Sequence, residues 1–282
     1  MAFYGCEFSF NGIPSSQYGL MLYDIGGIVE DGTFSSGLEI VEDRTARRYK
    51  PLFYGVKQNT PLTFTMTFGV HPNDIDKGRS LDRYDMAVVA AWLTGQDGYR
   101  YLEIAQPDME AMRYRCIITE LSYVTWGQIP WAFRCTVTCD SPFAYLRPEE
   151  YEITPTAASF PNAPTLTIWS KSPVIYYPRF ELAYTPNQSD MDTFKNNVKV
   201  RNLSETNSAS RTFILNGLTI SQNVVIDNEN QVITSDEGVN LYDSLDGMRF
   251  FRLLPGRNDL KVTGGSSSLL KIICEFPINI GG

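Results

Sequence analysis

The chain has 282 residues, 43% of them hydrophobic and 20% charged, which supplies apolar material for real cores and excludes a disordered or fibrous chain. Its formal net charge of −8 argues against nucleic acid as a main partner, because phosphate contacts need clustered Lys and Arg. At roughly 100–200 residues per domain the length points to two domains, with one large β domain as the alternative, and aromatics at 13% favour strands and interfaces.

The start, MAFYGCEFSFNG, has no basic segment followed by an apolar one, so it is not read as a signal peptide. No run approaches 18 apolar residues, so no membrane partner is expected and the chain reads as soluble, made in a cytoplasm. Phe8 and Phe10 flank Ser9 and lead into Asn11-Gly12, a strong hairpin signal. Residues 26–50 are glycine-rich and charged, with no clear period; they read as a long loop or extended arm, unusual in a compact domain unless functional. Within it Arg44, Arg47, Arg48 and Lys50 sit close to Glu39, Glu42 and Asp43, so the local charge nearly cancels. That pattern fits a salt-bridged interface loop better than a phosphate site, and Glu42, Asp43, Arg44, Arg47, Arg48 and Tyr49 are the candidate subunit-interface residues.

Residues 62–68, LTFTMTF, alternate apolar with threonine and predict a strand with one buried face. Residues 80–94 predict a helix, with Ser80 as N-cap, Leu81, Tyr84, Val88, Ala91 and Trp92 near 3.6-residue spacing, and Gly95 just past its end. Strands resume at 99–104, 113–121 and 131–140; in the last, Trp131, Phe133, Cys135, Val137 and Cys139 share a face. Cys135 and Cys139 would lie about 13 Å apart, too far for a disulfide. With Cys6, Cys116 and Cys274 they read as reduced, mostly buried thiols.

Five prolines between 141 and 165 suggest an inter-domain linker, with room for part of it to run along the first domain as an edge strand. The expected organisation is a first domain over 1–145, a Pro-rich linker over 146–164 and a second domain over 165–282. The second domain reads as short strands at 165–169, 179–183, 197–202, 211–215, 223–227, 231–235, 249–253, 258–263 and 269–276, separated by turn residues: a β-sandwich.

Little points to chemistry. The one histidine, His71, lies in a polar stretch beside Pro72 and reads as exposed. Asn73–Asp76 lacks most of a calcium loop. Asp227 with Glu229, and Asp236 with Glu237, could be imagined as a glycosidase pair, but acids at strand ends are common in any sandwich. No zinc cluster, P-loop or dinucleotide fingerprint is present, so neither enzyme activity nor a cofactor is expected. Trp169, Tyr176, Tyr177, Tyr184 and Tyr242 offer flat faces for a sugar ring, against the plainer reading that they pack a core.

Taken in order, these features resemble the distal tail protein of siphophages, mainly of the type infecting Gram-positive hosts. FSFNGIPSSQYGLML looks like that family's opening strand and hairpin, with Phe10, Asn11, Gly12, Ser16, Gly19 and Leu20 in sequence. The irregular arm, the strand LTFTMTFG, the helix carrying Ala90–Leu93 before Thr94-Gly95, and the ending FRCTVTCDSPFAY follow. FFRLLPGRNDLKVTG resembles a late hairpin of the family's second domain. The resemblance implies a mainly β fold: an N-terminal β-sandwich or split-barrel domain with one α-helix, then a galectin-like C-terminal β-sandwich. It implies a structural virion protein at the tail tip. Six copies would form a hexameric baseplate hub ring that continues the tail tube protein and leaves a channel through which DNA passes without specific binding. The arm would embrace a neighbour. The C-terminal domain would dock a receptor-binding protein or adaptor, and the distal face of the ring would meet the tail-associated hub protein. The alternatives are a carbohydrate-binding, lectin-like tail protein contacting the host surface, or another tail tube or adaptor component; the absence of histidine from the second domain weakens the galectin analogy.

Overall fold

Alternation of threonine with large apolar residues over 63–68 fixes one strand of the first half, which is paired on both sides. The computed structural model describes residues 7–26, 39–57, 60–71, 80–105, 111–126, 128–156, 160–185, 197–218, 220–264 and 268–279. They form two compact units, 1–146 with 278–282, and 147–277.

In the first unit β1 (Glu7–Phe10) turns tightly into β2 (Ile13–Pro14). Asn11 and Gly12 take φ of 53° and 76°, the pair of left-handed residues that a two-residue hairpin turn needs. A 3-10 turn, Ser15–Tyr18, ends at Gly19 with φ 66° and leads into β3 (Leu20–Gly26). After β4 (Glu39–Asp43) and β5 (Leu52–Lys57) come β6 (Thr63–Val70), β7 (Arg100–Ala105), β8 (Met112–Trp126), β9 (Ile129–Cys139) and β10 (Ala144–Leu146). The main sheet runs β2-β1-β7-β8-β9-β6-β3, with β10 joined to β8 and to β20 (Pro277–Ile278). β1 also lies against β3, the other end of this path, so the sheet curls round its core. Phe64, Met66 and Phe68 point inward from β6 while Thr63 and Thr65 face out, as the alternation predicts. Gly69 lies opposite Ala132, whose atoms would stand 2.7 Å from a Cβ, so the close approach of β6 and β9 requires glycine there.

The single helix of the described residues, α1, spans Arg83–Thr94. Its N-cap is Asp82, not Ser80. The Asp82 carboxylate accepts from the Asp85 N–H at 2.7 Å, and the Asp85 carboxylate accepts from the Asp82 N–H at 3.3 Å, a reciprocal capping box. The buried face is also rotated from the expected one: Val89, Trp92 and Leu93 are buried, whereas Tyr84 and Ala91 are exposed. Gly95 follows as the C-cap with an ordinary φ of −79°. Asp82→Ala removes an acceptor from a helix N-terminus and should cost about 1 kcal/mol of stability by urea denaturation; no loss would mean that another group satisfies the Asp85 N–H.

The second unit is a sandwich of two antiparallel sheets. One, in the order β11-β19-β13-β16-β17, comprises β11 (Glu149–Ile153), β13 (Arg179–Tyr184), β16 (Gln222–Asp227), β17 (Val232–Ser235) and β19 (Leu269–Cys274). The other, in the order β12-β18-β14-β15, comprises β12 (Thr165–Ser170), β14 (Val198–Asn202), β15 (Phe213–Leu215) and β18 (Gly256–Gly264). Phe180 on the first sheet meets Phe213 on the second edge to face, ring centroids 5.6 Å apart, and Phe251 at 5.1 Å.

Two expectations are corrected here. The stretch 146–164, read as a linker, contains the paired strand β11, because Pro148 and Pro155 flank the strand rather than interrupt it and β11 is an edge. Residues 249–253 are not a strand: Gly247 and Met248 take φ of 61° and 51° just before them, and the Phe251 N–H donates to Asn228 Oδ1 at 2.8 Å instead of to a neighbouring strand. Only Leu253 makes a bridge, to Tyr176.

Cys116, Cys135, Cys139 and Cys274 are free and buried, while Cys6 lies outside the described residues. Burial pushes the Cys135, Cys139 and Cys274 thiols up to about 12. Cys116 is raised too, by burial and then by Cys139, its register partner. A thiol reagent at pH 8 should therefore leave these four untouched in the native chain and modify them on unfolding. Labelling of more than one thiol per native chain would contradict this.

Candidate assembly surface

The residues picked out in the arm gather on one substructure. β4 and β5 pair only with each other, as a two-stranded sheet separate from the rest. Such a hairpin is at best marginal alone in water. The register runs Glu39↔Lys57, Ile40↔Val56 and Val41↔Gly55, then shifts at a bulge to Glu42↔Phe53 and Asp43↔Leu52. Gly55 at the bulge has φ 142°, which a side chain would strain. Glu39 pairs with Lys57 at 3.4 Å across the ladder.

Glu42 and Asp43 end β4, and Arg44, Arg47, Arg48 and Tyr49 lie in the connection to β5. Arg44 Nε donates to the Glu42 carboxylate at 2.8 Å. The Arg48 N–H donates to Thr45 O, and Arg47 takes a left-handed φ of 68°, so the connection is a shaped turn. Tyr49 is 91% exposed, with the Lys50 ammonium 5.7 Å from its ring centre. The part of the arm at 27–38 lies outside the described residues.

The residues that sequence reasoning missed are apolar. Ile40, Phe53, Tyr54 and Val56 are all more than half exposed. Ile40 and Glu42 share a face of β4, and the register sets Val56 and Phe53 opposite them, so Ile40, Val56 and Phe53 make one apolar patch. Large apolar residues grouped on a detached ribbon mark a surface meant to be covered.

The candidates for chemistry are turn-builders. Asp227 accepts from the Glu229 and Asn230 N–H groups and from Asn230 Nδ2, which fixes the β16–β17 turn. Asp236 accepts from Asn223 N and Nδ2 at the other end of that hairpin. His71 is exposed, and Asn73–Asp76 lies outside the described residues. Among the described residues no group of three or more His, Cys, Asp or Glu could hold a metal, and no helix is long and apolar enough to cross a membrane.

Of the candidate sugar platforms, Tyr184 is buried. Tyr176 packs on Phe276, and its hydroxyl accepts from the Glu275 N–H. The Tyr242 hydroxyl accepts from the Ile233 N–H. Tyr177 is 37% exposed and Trp169 62% exposed. The late hairpin motif has a local cause: buried Asn258 holds its turn, with Nδ2 donating to Leu254 O and Gly256 O and Oδ1 accepting from Leu254 N and Asn202 Nδ2. Gly256 has φ 81°, and a Cβ at Gly264 would stand 2.8 Å from Pro155.

The comparisons with known proteins bear on both units. Residues 3–141, just under half of the chain, match the family described as phage tail protein N-terminal domain, which supports reading the chain as a structural component of a phage tail. Along its length the fold is that of distal tail proteins. It is similar to the Dit protein of phage SPP1, with TM-score 0.65 and 11% identity over 96% of this chain and 98% of that one. The SPP1 protein is described as a paradigm of the hub adsorption apparatus in phages infecting Gram-positive hosts. A chain of the phage p2 baseplate, in its activated conformation with Sr, aligns with TM-score 0.49 and 12% identity over 91% of this chain and 90% of that one. No curated protein matches in sequence. The expected mainly β architecture with a single helix is borne out.

Proposed function

We propose that the chain is the distal tail protein of a siphophage, a baseplate hub subunit that works by assembly and not by catalysis. Six copies close into a ring through their first units, and the β4–β5 arm of each embraces the next. A ring of this kind uses a heterologous contact, one patch meeting a different patch on the neighbour. The apolar arm patch of Ile40, Phe53 and Val56 is the observation that carries this reading, since it is unburied within one chain. The ring sits in the virion between the tail tube protein and the tail-associated hub protein and leaves a channel for DNA. The net charge of −8 suits a conduit that repels DNA. The second unit is a galectin-like module that docks a receptor-binding protein or adaptor. The fold shared with a protein described as a hub supports the placement.

Gold-labelled antibody against the chain, applied to intact virions, should mark the tail tip at the tube's far end. Label along the tube or on the head would overturn the placement.

A further inference from the structure

The outer face of the β12-β18-β14-β15 sheet reverses the charge balance of the chain. Side chains alternate along each strand, and Ile168, Leu260, Val262, Val198 and Val200 fill the inner face. The register then arranges the outer one. Trp169 lies opposite Arg257, Thr167 opposite Asp259, Thr165 opposite Lys261, and Lys261 opposite Arg201, with Lys199 two residues along β14. Among the described residues this face thus carries four cations, Lys199, Arg201, Arg257 and Lys261, against the one acid Asp259, in a chain of net charge −8.

The acid is already engaged. Thr167 Oγ1 donates to Asp259 Oδ1 at 2.7 Å, and Arg257 Nε donates to the same oxygen at 3.1 Å. That bond orients the Arg257 guanidinium in the cross-strand row of Trp169, whose indole is 62% exposed on the edge strand. Arg201 is braced as well, with Nε donating to Thr212 Oγ1 at 3.0 Å and its guanidinium 3.9 Å from the Phe160 ring centre. A protein-docking centre surrounds its aromatic anchor with apolar neighbours. Here the anchor's cross-strand partner is Arg257 and its same-face neighbour along β12 is Thr167. An open indole among oriented polar groups suits a pyranose ring, with an apolar face and a polar rim. Cations at every second residue of β14, and again four apart on β18, suit a ligand whose negative charges also repeat.

We propose that this face binds an anionic polysaccharide. A sugar ring stacks on Trp169, and the carboxylate or phosphate groups of the polymer meet Arg257, Arg201 and Lys199. The inference rests on the second unit's sheet and not on ring assembly, so its failure leaves the hub reading standing, and failure of the hub reading leaves this one testable.

The test is isothermal titration calorimetry of the full chain with an alginate oligosaccharide (a polyuronate), and with neutral dextran, polyglutamate and a single-stranded oligonucleotide of matched length. Alginate should bind, more weakly as salt rises. Trp169→Ala should weaken binding about ten-fold and Trp169→Phe much less, as loss of one stacking contact predicts. Arg257→Ala combined with Lys199→Ala should weaken it and flatten the salt dependence. Unchanged melting of Trp169→Ala, an exposed position, shows that folding is not the cause. Absence of alginate binding, equal affinity for dextran, or indifference to Trp169→Ala would overturn the proposal. Tighter binding of polyglutamate or of the oligonucleotide would overturn it in favour of an acidic protein or nucleic acid.

Discussion

Replacing Phe53 and Val56 together by serine should leave the chain folded and unable to form its ring. Both side chains are more than half exposed, on a hairpin whose strands, among the described residues, pair only with each other, so the change removes little from the monomer's core. In the ring proposed above, a neighbour buries them. Burying a Val or Phe side chain is worth about 1.5–3 kcal/mol. Only the share still exposed in one chain is gained on assembly, so losing two such contacts at each joint should weaken every joint at least about ten-fold, at 1.4 kcal/mol per factor of ten. A closed ring needs all of its joints, so the loss compounds. Light scattering would read the variant as a monomer with the circular dichroism of the parent. Val239→Ser, 44% exposed in the second unit, serves as the control that keeps the parent's mass. An undiminished assembly of the double variant would mean that the arm is not the joint.

The second large effect concerns Trp92, which ties α1 to the first hairpin. It is 6% exposed, stacks on Phe8 at 5.8 Å, meets Phe10 at 6.4 Å and packs on Tyr18 at 4.7 Å. Its Nε1 donates to Phe10 O at 3.2 Å. Trp92→Ala deletes three ring contacts, opens a cavity and strands a carbonyl, and should cost about 3–5 kcal/mol. Trp92→Phe keeps most of the ring packing and loses the hydrogen bond, so about 1–2 kcal/mol. Urea denaturation of the first unit's transition would read both, and a loss below about 1 kcal/mol for the alanine variant would show that the helix is held elsewhere.

Where one face of an element is buried, the sequence was informative. β6 and β9 alternate as they do because one face meets the core, and Asn11-Gly12 has no other common use. The helix was visible in its composition, but its start and phase were not, since Ser80 and Asp82 are both good caps and only the Asp85 carboxylate reaching back to the Asp82 N–H decides between them. Alternation failed in both directions elsewhere. Phe251 and Leu253 are buried in alternation without belonging to a strand, because alternation reports burial and not pairing. β4 and β5 are paired without alternation, because both faces of a detached ribbon are open and a bulge resets the register. The charges of the arm were therefore easy to single out, whereas Ile40, Phe53 and Val56, which make its apolar patch, looked like unremarkable residues around a loop. The cationic face of the second unit was hidden for another reason: Lys199, Arg201, Arg257 and Lys261 come from two strands far apart in sequence, and only the register brings them together.

The central claim is that the chain is a ring subunit, and the mass of the purified protein in solution tests it most directly. Light scattering over a concentration series should give, or rise toward, six times the chain mass of 31.8 kDa, with no plateau at two or four copies. A strict monomer at every concentration, or a closed dimer, would contradict it.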